Sequence, residues 1–405
     1  MDAPNKARSV TPFFYFFNGG QVIKRIRLYA IVLSSALVCA AVPVIAREAE
    51  RSETAVKWFE KMDMAFGATG IIQGAEGMPK TSENTKADVS AYSHSLDLEL
   101  SAPVPEGGKV YFHFEAGSGE GVDPKAPTMS AFNRDADGDP ALRATELWYE
   151  RGWMDGGIRL RLGKVDLTTD FDASAAANDE TKQFLSAGFR NNPVVGFPDD
   201  NGFGGMLWLS PYRAFSLGFA AADARAIGDE VFSSPFVMAE MVFSPLIGEN
   251  QGNYRVYAWH NGKRHEKILE TDATGVENYG FGFSLDQQFF GSLTLFARCG
   301  MQRQTVSQAE CAGSAGFEIS GDAYGRERDA LGIAGGAILL GSCWKKDSRA
   351  KGITPGDEYH AEVYYRVRVN EYLTLSPDVQ WVRNPNGDAD ADDIWVFGVR
   401  AQLAY

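Results

Sequence analysis

Carboxylates, guanidinium groups and aromatic rings recur in this chain at every second residue of short segments. Glu146, Trp148 and Glu150 form one such set, Arg159 and Arg161 a second, and Arg255, Tyr257 and Trp259 a third. Glu362, Arg366 and Arg368 follow near the C-terminus, and Arg400 lies in the last segment. Planar donors and carboxylates can bridge adjacent hydroxyls of a solute, and a ring face can stack on its C–H surface. The same spacing also suits a salt-bridged structural wall. For any single residue the two readings weigh about the same; as a set, they favour a path for a polar solute.

Other chemistries find little support. The five histidines, His94, His113, His260, His265 and His360, form no HExxH pair, and no GxSxG elbow is present. The Gly-rich run at 116–121 follows a strand-like segment instead of opening a helix, which argues against a phosphate loop. Carboxylate pairs such as Glu146 and Glu150 recur on too many segments to mark one hydrolytic site. Asn133, Asp135 and Asp137 match the first positions of a calcium loop and are weak metal candidates. Pro140 interrupts that loop and Ala144 stands where its closing Glu belongs, so a solvated tip is expected. No cofactor is expected. Cys299 and Cys311 flank a polar stretch and suit a loop disulfide; their spacing fits no zinc motif.

What positions the alternating residues is a series of strands. The closing run, 392–405, reads DDIWVFGVRAQLAY. Trp395, Phe397, Val399, Ala401, Leu403 and Tyr405 fall on one face, and Gly398, Arg400, Gln402 and Ala404 on the other. Segments 95–100, 109–116, 145–150, 158–166, 205–223, 235–243, 253–261, 277–286, 290–302 and 359–369 repeat the pattern. Residues 64–75, 313–320, 329–340 and 372–382 fit it less cleanly. About sixteen strands result, with no blade or coil repeat of a propeller or solenoid. The pattern predicts an all-β, transmembrane antiparallel barrel over 64–405, its last strand pairing with its first to remove free edges.

The chain has 405 residues and a formal net charge of −14, which disfavours a nucleic-acid partner. Lys24, Arg25 and Arg27 precede an apolar run to Ile45, and Val44 and Ala46 suit a cleavage site. Residues 1–46 therefore read as a signal peptide, with 1–20 an extension from a start assigned too far upstream. Charge-rich residues 47–63 predict a short N-terminal helix. Residues 172–189 break the alternation, carry Ala and Gln, and predict a helix-bearing insertion that narrows the lumen or covers a mouth.

The stretch GIRLRLGKVDLTTDFDASAAANDETKQFLSAGFRNNPVVGFP (157–198) resembles the carbohydrate-selective porins, the OprB family of outer-membrane channels. SLDLELSAPVPEGGKVYFHFEAGSGEG (95–121), FGGMLWLSPYRAFSLGFAAAD (203–223), GNYRVYAWHNG (252–262) and YYRVRVNEYLTLSPDVQWVRNPNG (364–387) follow in family order, whereas 310–350 shows no family pattern. The resemblance implies sixteen strands in the outer membrane of a Gram-negative bacterium and passive diffusion of mono- or small oligosaccharides. The alternation places the Arg, Glu and aromatic residues named above on the lumen side, and the resemblance implies that Tyr405 is the signal read by the barrel-assembly machinery. The expected partners are sugars, outer-membrane lipid and further copies in a homo-oligomer. A general, weakly selective porin, or a secreted all-β polysaccharide-binding protein or enzyme, are the competing readings.

Overall fold

Backbone N–H and C=O groups facing hydrocarbon have no water to pair with, so a sheet in lipid is stable only when it closes on itself. The computed structural model describes residues 61–77, 89–104, 107–136, 138–226, 233–270 and 275–405, and these build one closed antiparallel sheet. The first half of the wall is β1 (Asp63–Glu76), β2 (Val89–Val104), β3 (Gly108–Ser118), β4 (Arg143–Trp153), β5 (Ile158–Val165), β6 (Gly202–Tyr212), β7 (Phe215–Asp223) and β8 (Pro235–Phe243). The second half is β10 (Asn250–His265), β11 (Val276–Phe289), β12 (Leu293–Gln302), β13 (Ala309–Ser320), β14 (Ala330–Leu340), β15 (Glu358–Arg368), β16 (Leu373–Arg383) and β17 (Ile394–Ala404). Between the halves, β9 (Leu246–Ile247) is a two-residue extension of the turn, so sixteen strands form the staves.

Closure runs along β1 and β17, in register from Gly67 opposite Ala404 to Glu76 opposite Trp395. The ladder ends on a reciprocal pair: Phe66 N–H donates to Tyr405 O and Tyr405 N–H to Phe66 O, both at 2.9 Å. The facing read from alternation holds. Trp395, Phe397, Val399 and Leu403 are exposed on the outside, while Arg400 and Gln402 are buried inside. Apolar side chains such as Ile72, Leu96, Phe219, Phe281 and Val363 continue the outer band. Aromatic rings mark its two rims: Phe66, Tyr212, Phe243, Tyr372 and Tyr405 at the end of the chain termini, and Tyr92, Tyr279, Tyr359 and Trp395 at the other.

Connections differ in the same way. Turns at 213–214, 290–292 and 369–372 are short and lie at the terminus end, whereas 119–142, 166–201 and 341–357 are long and lie opposite. In bacterial barrels the short turns face the periplasm and the long loops the exterior.

Several expectations are corrected. Residues 205–223 alternate throughout but form two strands. Pro211 has no N–H for the ladder, the register shifts between Leu209 and Tyr212, and Tyr212 pairs with Phe215 across the turn. The insertion 172–189 carries its helix only at the end, where α1 (Ala187–Arg190) is reached through a series of turns. A second helix, α2 (Ser342–Ala350), lies in a loop for which none was expected. Cys299 and Cys311 sit on strands, facing outward and offset by two residues, Cys299 opposite Gly313 and Cys311 opposite Met301. Both are free, so the loop disulfide does not form. The leader, and the N-terminal helix expected over 47–63, lie outside the described residues except at the end, where Asp63 opens β1.

The assigned facing predicts opposite outcomes at two nearby positions. Val399→Arg places a cation in the middle of the lipid face and costs about 2–4 kcal/mol, whereas Gln402→Glu keeps an acceptor for the Thr69 hydroxyl. The folded fraction, read from heat-modifiable electrophoretic migration, falls for the first and stays near wild type for the second. Equal behaviour would reverse the facing.

Candidate functional site

The inner face of the barrel is polar, and most of its charge is used to hold two loops. The connection 166–201 enters the barrel with its own N–H and C=O groups unpaired by regular structure, and the wall supplies partners of the right polarity. Carboxylates take the N–H groups: Glu240 on β8 accepts from Asp172 N at 2.8 Å, and Glu362 on β15 from Leu185 N and Ser186 N at 2.6 and 2.9 Å. Guanidinium groups take the carbonyls. Arg298 on β12 donates to Phe189 O and to Asp172 O, the latter at 2.8 Å. Arg400 on β17 donates to Glu180 O and Gln183 O at 2.6 and 2.8 Å, and Arg366 on β15 to Lys182 O at 2.8 Å. Charge-assisted bonds of this kind are about twice as strong as neutral ones. They also explain why the helix is confined to α1: backbone groups that a longer helix would pair internally are claimed by the wall, and Gln183 Oε1 accepts from Asn178 N and Asp179 N.

Apolar contacts seal the same surface. Ala176, Ala177, Phe184 and Phe189 pack on Phe296, Ala334 and Tyr364, and Leu167, Phe171 and Val195 join a cluster with Met206, Phe236, Tyr257 and Trp259. Gly188 permits the closest approach, since a Cβ there would lie 2.7 Å from Nε2 of His360. The connection 119–142 is held alike. Glu358 accepts from Met129 N and Ser130 N at 2.9 and 2.8 Å, and Gln380 donates to Phe132 O at 2.9 Å. The two loops join where Gly188 N donates to Ser130 O and Arg134 N to Leu185 O. Burial pushes the carboxyl of Asp172 up, outweighing Arg298, and that of Asp123 up to about 6 despite two backbone donors.

This arrangement sorts the residues picked out by spacing. Arg255, Tyr257 and Trp259 point inward but are covered, the rings only 2% and 4% exposed, and Arg255 pairs with Asp286 at 2.7 Å. Glu362, Arg366 and Arg400 hold the long loop. Arg368 sits at the short-turn end and donates to Asn370 O at 2.9 Å. Asn133 turns its amide to Gln73 and Ser93 on the wall, and Asp135 accepts from Ser95; Asp137 lies outside the described residues. Among the described residues no cluster of three metal-ligating side chains forms.

The remaining candidates converge on the wall β3–β6. Trp148 lies against Tyr111, ring centroids 4.7 Å apart, and Arg161 Cζ sits 4.1 Å from its centroid. At 7% exposure Trp148 is a base for that guanidinium rather than an open platform. Gly163, at φ +144°, stands opposite, where a Cβ would meet Trp148 Cα at 2.7 Å. Glu146 accepts from Trp148 Nε1 at 3.0 Å and Asp166 N at 3.2 Å. Arg159 and Arg161 share two acids. Glu150 lies 3.5 and 2.9 Å from them and Asp170, from the long loop, 3.0 and 2.7 Å. Trp208, stacked on Phe171 at 5.0 Å, underlies Arg159. The Arg159 side chain is 37% exposed, the others 13–19%, so this edge is open to water. Asp170, Trp208, Tyr111 and Phe171 were missed. Trp208 shares the parity of its strand and was findable; Asp170 lies where alternation has stopped.

Comparison with known proteins agrees with the barrel fold. Residues 83–405 match the family model described as "Carbohydrate-selective porin, OprB family". "Porin B" of Pseudomonas aeruginosa is 21% identical over 333 residues, spanning 70% of this chain and 72% of that protein. The high-pH structure of Pseudomonas putida OprB superposes with a TM-score of 0.75 at 17% identity, over 87% of this chain and 96% of that one. The outer-membrane channel DcaP of Acinetobacter baumannii gives 0.52 at 13% identity, over 85% and 97%.

Because residues 173–187 occupy barrel interior, deleting them is expected to raise single-channel conductance in planar bilayers. Glu362→Ala, which leaves the N–H groups of Leu185 and Ser186 without their acceptor, costs about 1–3 kcal/mol locally and should make the current noisier at unchanged barrel stability. Conductance unaltered by the deletion would mean that the loop does not narrow the lumen.

Proposed function

The chain belongs to the OprB family of carbohydrate-selective porins, and on that premise we propose that neutral mono- and small oligosaccharides diffuse along the β3–β6 wall. The protein is an outer-membrane β-barrel of Gram-negative type, a channel and not an enzyme. The observation that carries the path is the paired array of Arg159 and Arg161 with Glu150 and Asp170. Guanidinium groups offer donors in a fixed plane and carboxylates offer acceptors, a combination suited to successive hydroxyls on a sugar. Opposite charges cancel within a few ångströms, so a neutral solute meets hydrogen-bonding edges without a strong field selecting ions. Water and sugar exchange at such edges with little net cost, which favours passage over tight retention.

Glu146 and Trp148 support the array from beneath, whereas Arg255, Tyr257, Trp259, Glu362, Arg366 and Arg400 act through the loop that shapes the lumen. For Tyr405 we propose the role of assembly signal. Its backbone closes the seam with Phe66 and its ring lies 5.7 Å from that of Tyr372, leaving the terminal aromatic exposed at the rim.

Liposomes carrying the protein are expected to swell faster with glucose or maltose than with arginine, a charged solute of comparable size to glucose. Entry rates set by size alone, with arginine keeping pace with glucose, would make this a general porin.

A further inference from the structure

The array on the β3–β6 wall is assembled from two sources. Arg159, Arg161 and Glu150 come from adjacent strands, and their positions follow from the ladder in which Glu150 faces Arg161. Asp170 comes from the inserted loop, five residues beyond the end of β5. Its two oxygens divide between the arginines, Oδ1 at 3.0 Å from Arg159 Nη2 and Oδ2 at 2.7 Å from Arg161 Nη1. Glu150 Oε2 takes the other side, 2.9 Å from Arg161 Nε and 3.5 Å from Arg159 Nη1.

Within the array two cations and two anions cancel, one of the anions contributed by the loop, and Lys109, opposite Glu150 on β3 with its Nζ 5.8 Å from the Trp148 centroid, is a further cation beside it. Other carboxylates on this wall and loop have partners of their own: Glu146 holds Trp148 and Asp166, Glu99 accepts from Tyr111, and Asp166 lies 3.6 Å from Arg190. Removing Asp170 leaves two guanidinium groups against one carboxylate. Arg159, the most exposed of the set, would then carry uncompensated charge toward the lumen.

We propose that Asp170 is the residue that determines solute charge preference. It keeps the array neutral, so that neutral sugars pass while sugar acids, which carry a carboxylate, gain no electrostatic advantage. The inference rests on the sugar path proposed above and adds to it the solute class that the array does not favour. It also makes docking of the loop and the charge of the path one event, because the neutralising acid arrives with the loop.

The test uses the full-length protein in planar bilayers under a KCl gradient. Asp170→Asn is expected to shift the reversal potential so that the anion-to-cation permeability ratio rises by up to about twenty-five-fold, about five-fold for each ion being the scale of one unit charge acting at about 4 Å in water. In liposomes, gluconate should gain on glucose by up to the single-ion factor. Asp170→Glu should restore the wild-type ratio, and Arg159→Gln should shift it toward cations. Heat-modifiable migration confirms that each barrel is folded, and if Asp170→Asn fails this check, the opposite shift expected of Arg159→Gln carries the test. An unchanged reversal potential in the folded variants would overturn the proposal, as would higher conductance without altered ion preference. Failure of wild-type liposomes to prefer glucose over arginine would instead remove the sugar path, and the reversal potentials would still report what Asp170 does to charge.

Discussion

Everything in this molecule depends on pairing backbone polar groups where no water can reach them. Along the wall the requirement is met by ladders, and it is completed only at the seam, where Phe66 and Tyr405 exchange hydrogen bonds. An open edge at that point would leave a row of N–H and C=O groups in hydrocarbon, each costing several kcal/mol. Closure also fixes which side chains face in. One register error would turn Arg400 and Gln402 to lipid and Val399 to water.

The same requirement shapes the interior. A loop inserted into a barrel cannot form its own sheet, and its backbone is desolvated on docking. Here Glu240, Glu358 and Glu362 accept from loop N–H groups, and Arg298, Arg366 and Arg400 donate to loop carbonyls. Inward charges that look like solute contacts thus serve largely as ligands for the protein's own backbone. The path proposed for a solute lies on the β3–β6 wall, with Arg159, Arg161 and Glu150 from the strands and Asp170 from the loop edge.

That distinction explains what could be read in advance. Strand identity and facing follow from period-two alternation, a local property, and the closing strand was legible residue by residue. The hairpin within 205–223 was hidden because alternation runs on across its two-residue turn. Composition around Ala175–Ala177 favours a helix, yet the chain is bent into turns by long-range bonds from Glu362, Arg298 and Arg400 that no local pattern records. Trp148 and Trp259 occupy equivalent positions in alternating segments, but one supports Arg161 and the other lies under Gly196 of the loop. The OprB resemblance supplied the family, whereas the division of inward residues between docking and path required the fold.

The most direct measurement is a crystal structure of the protein with glucose or maltose diffused into the lumen. Sugar hydroxyls are expected within hydrogen-bonding distance of Arg159 and Arg161 and of Glu150 or Asp170, with the long loop still held by Glu362 and Arg298. Sugar bound instead along β10–β15, with the loop displaced from Arg255, Tyr257 and Trp259, would contradict the account.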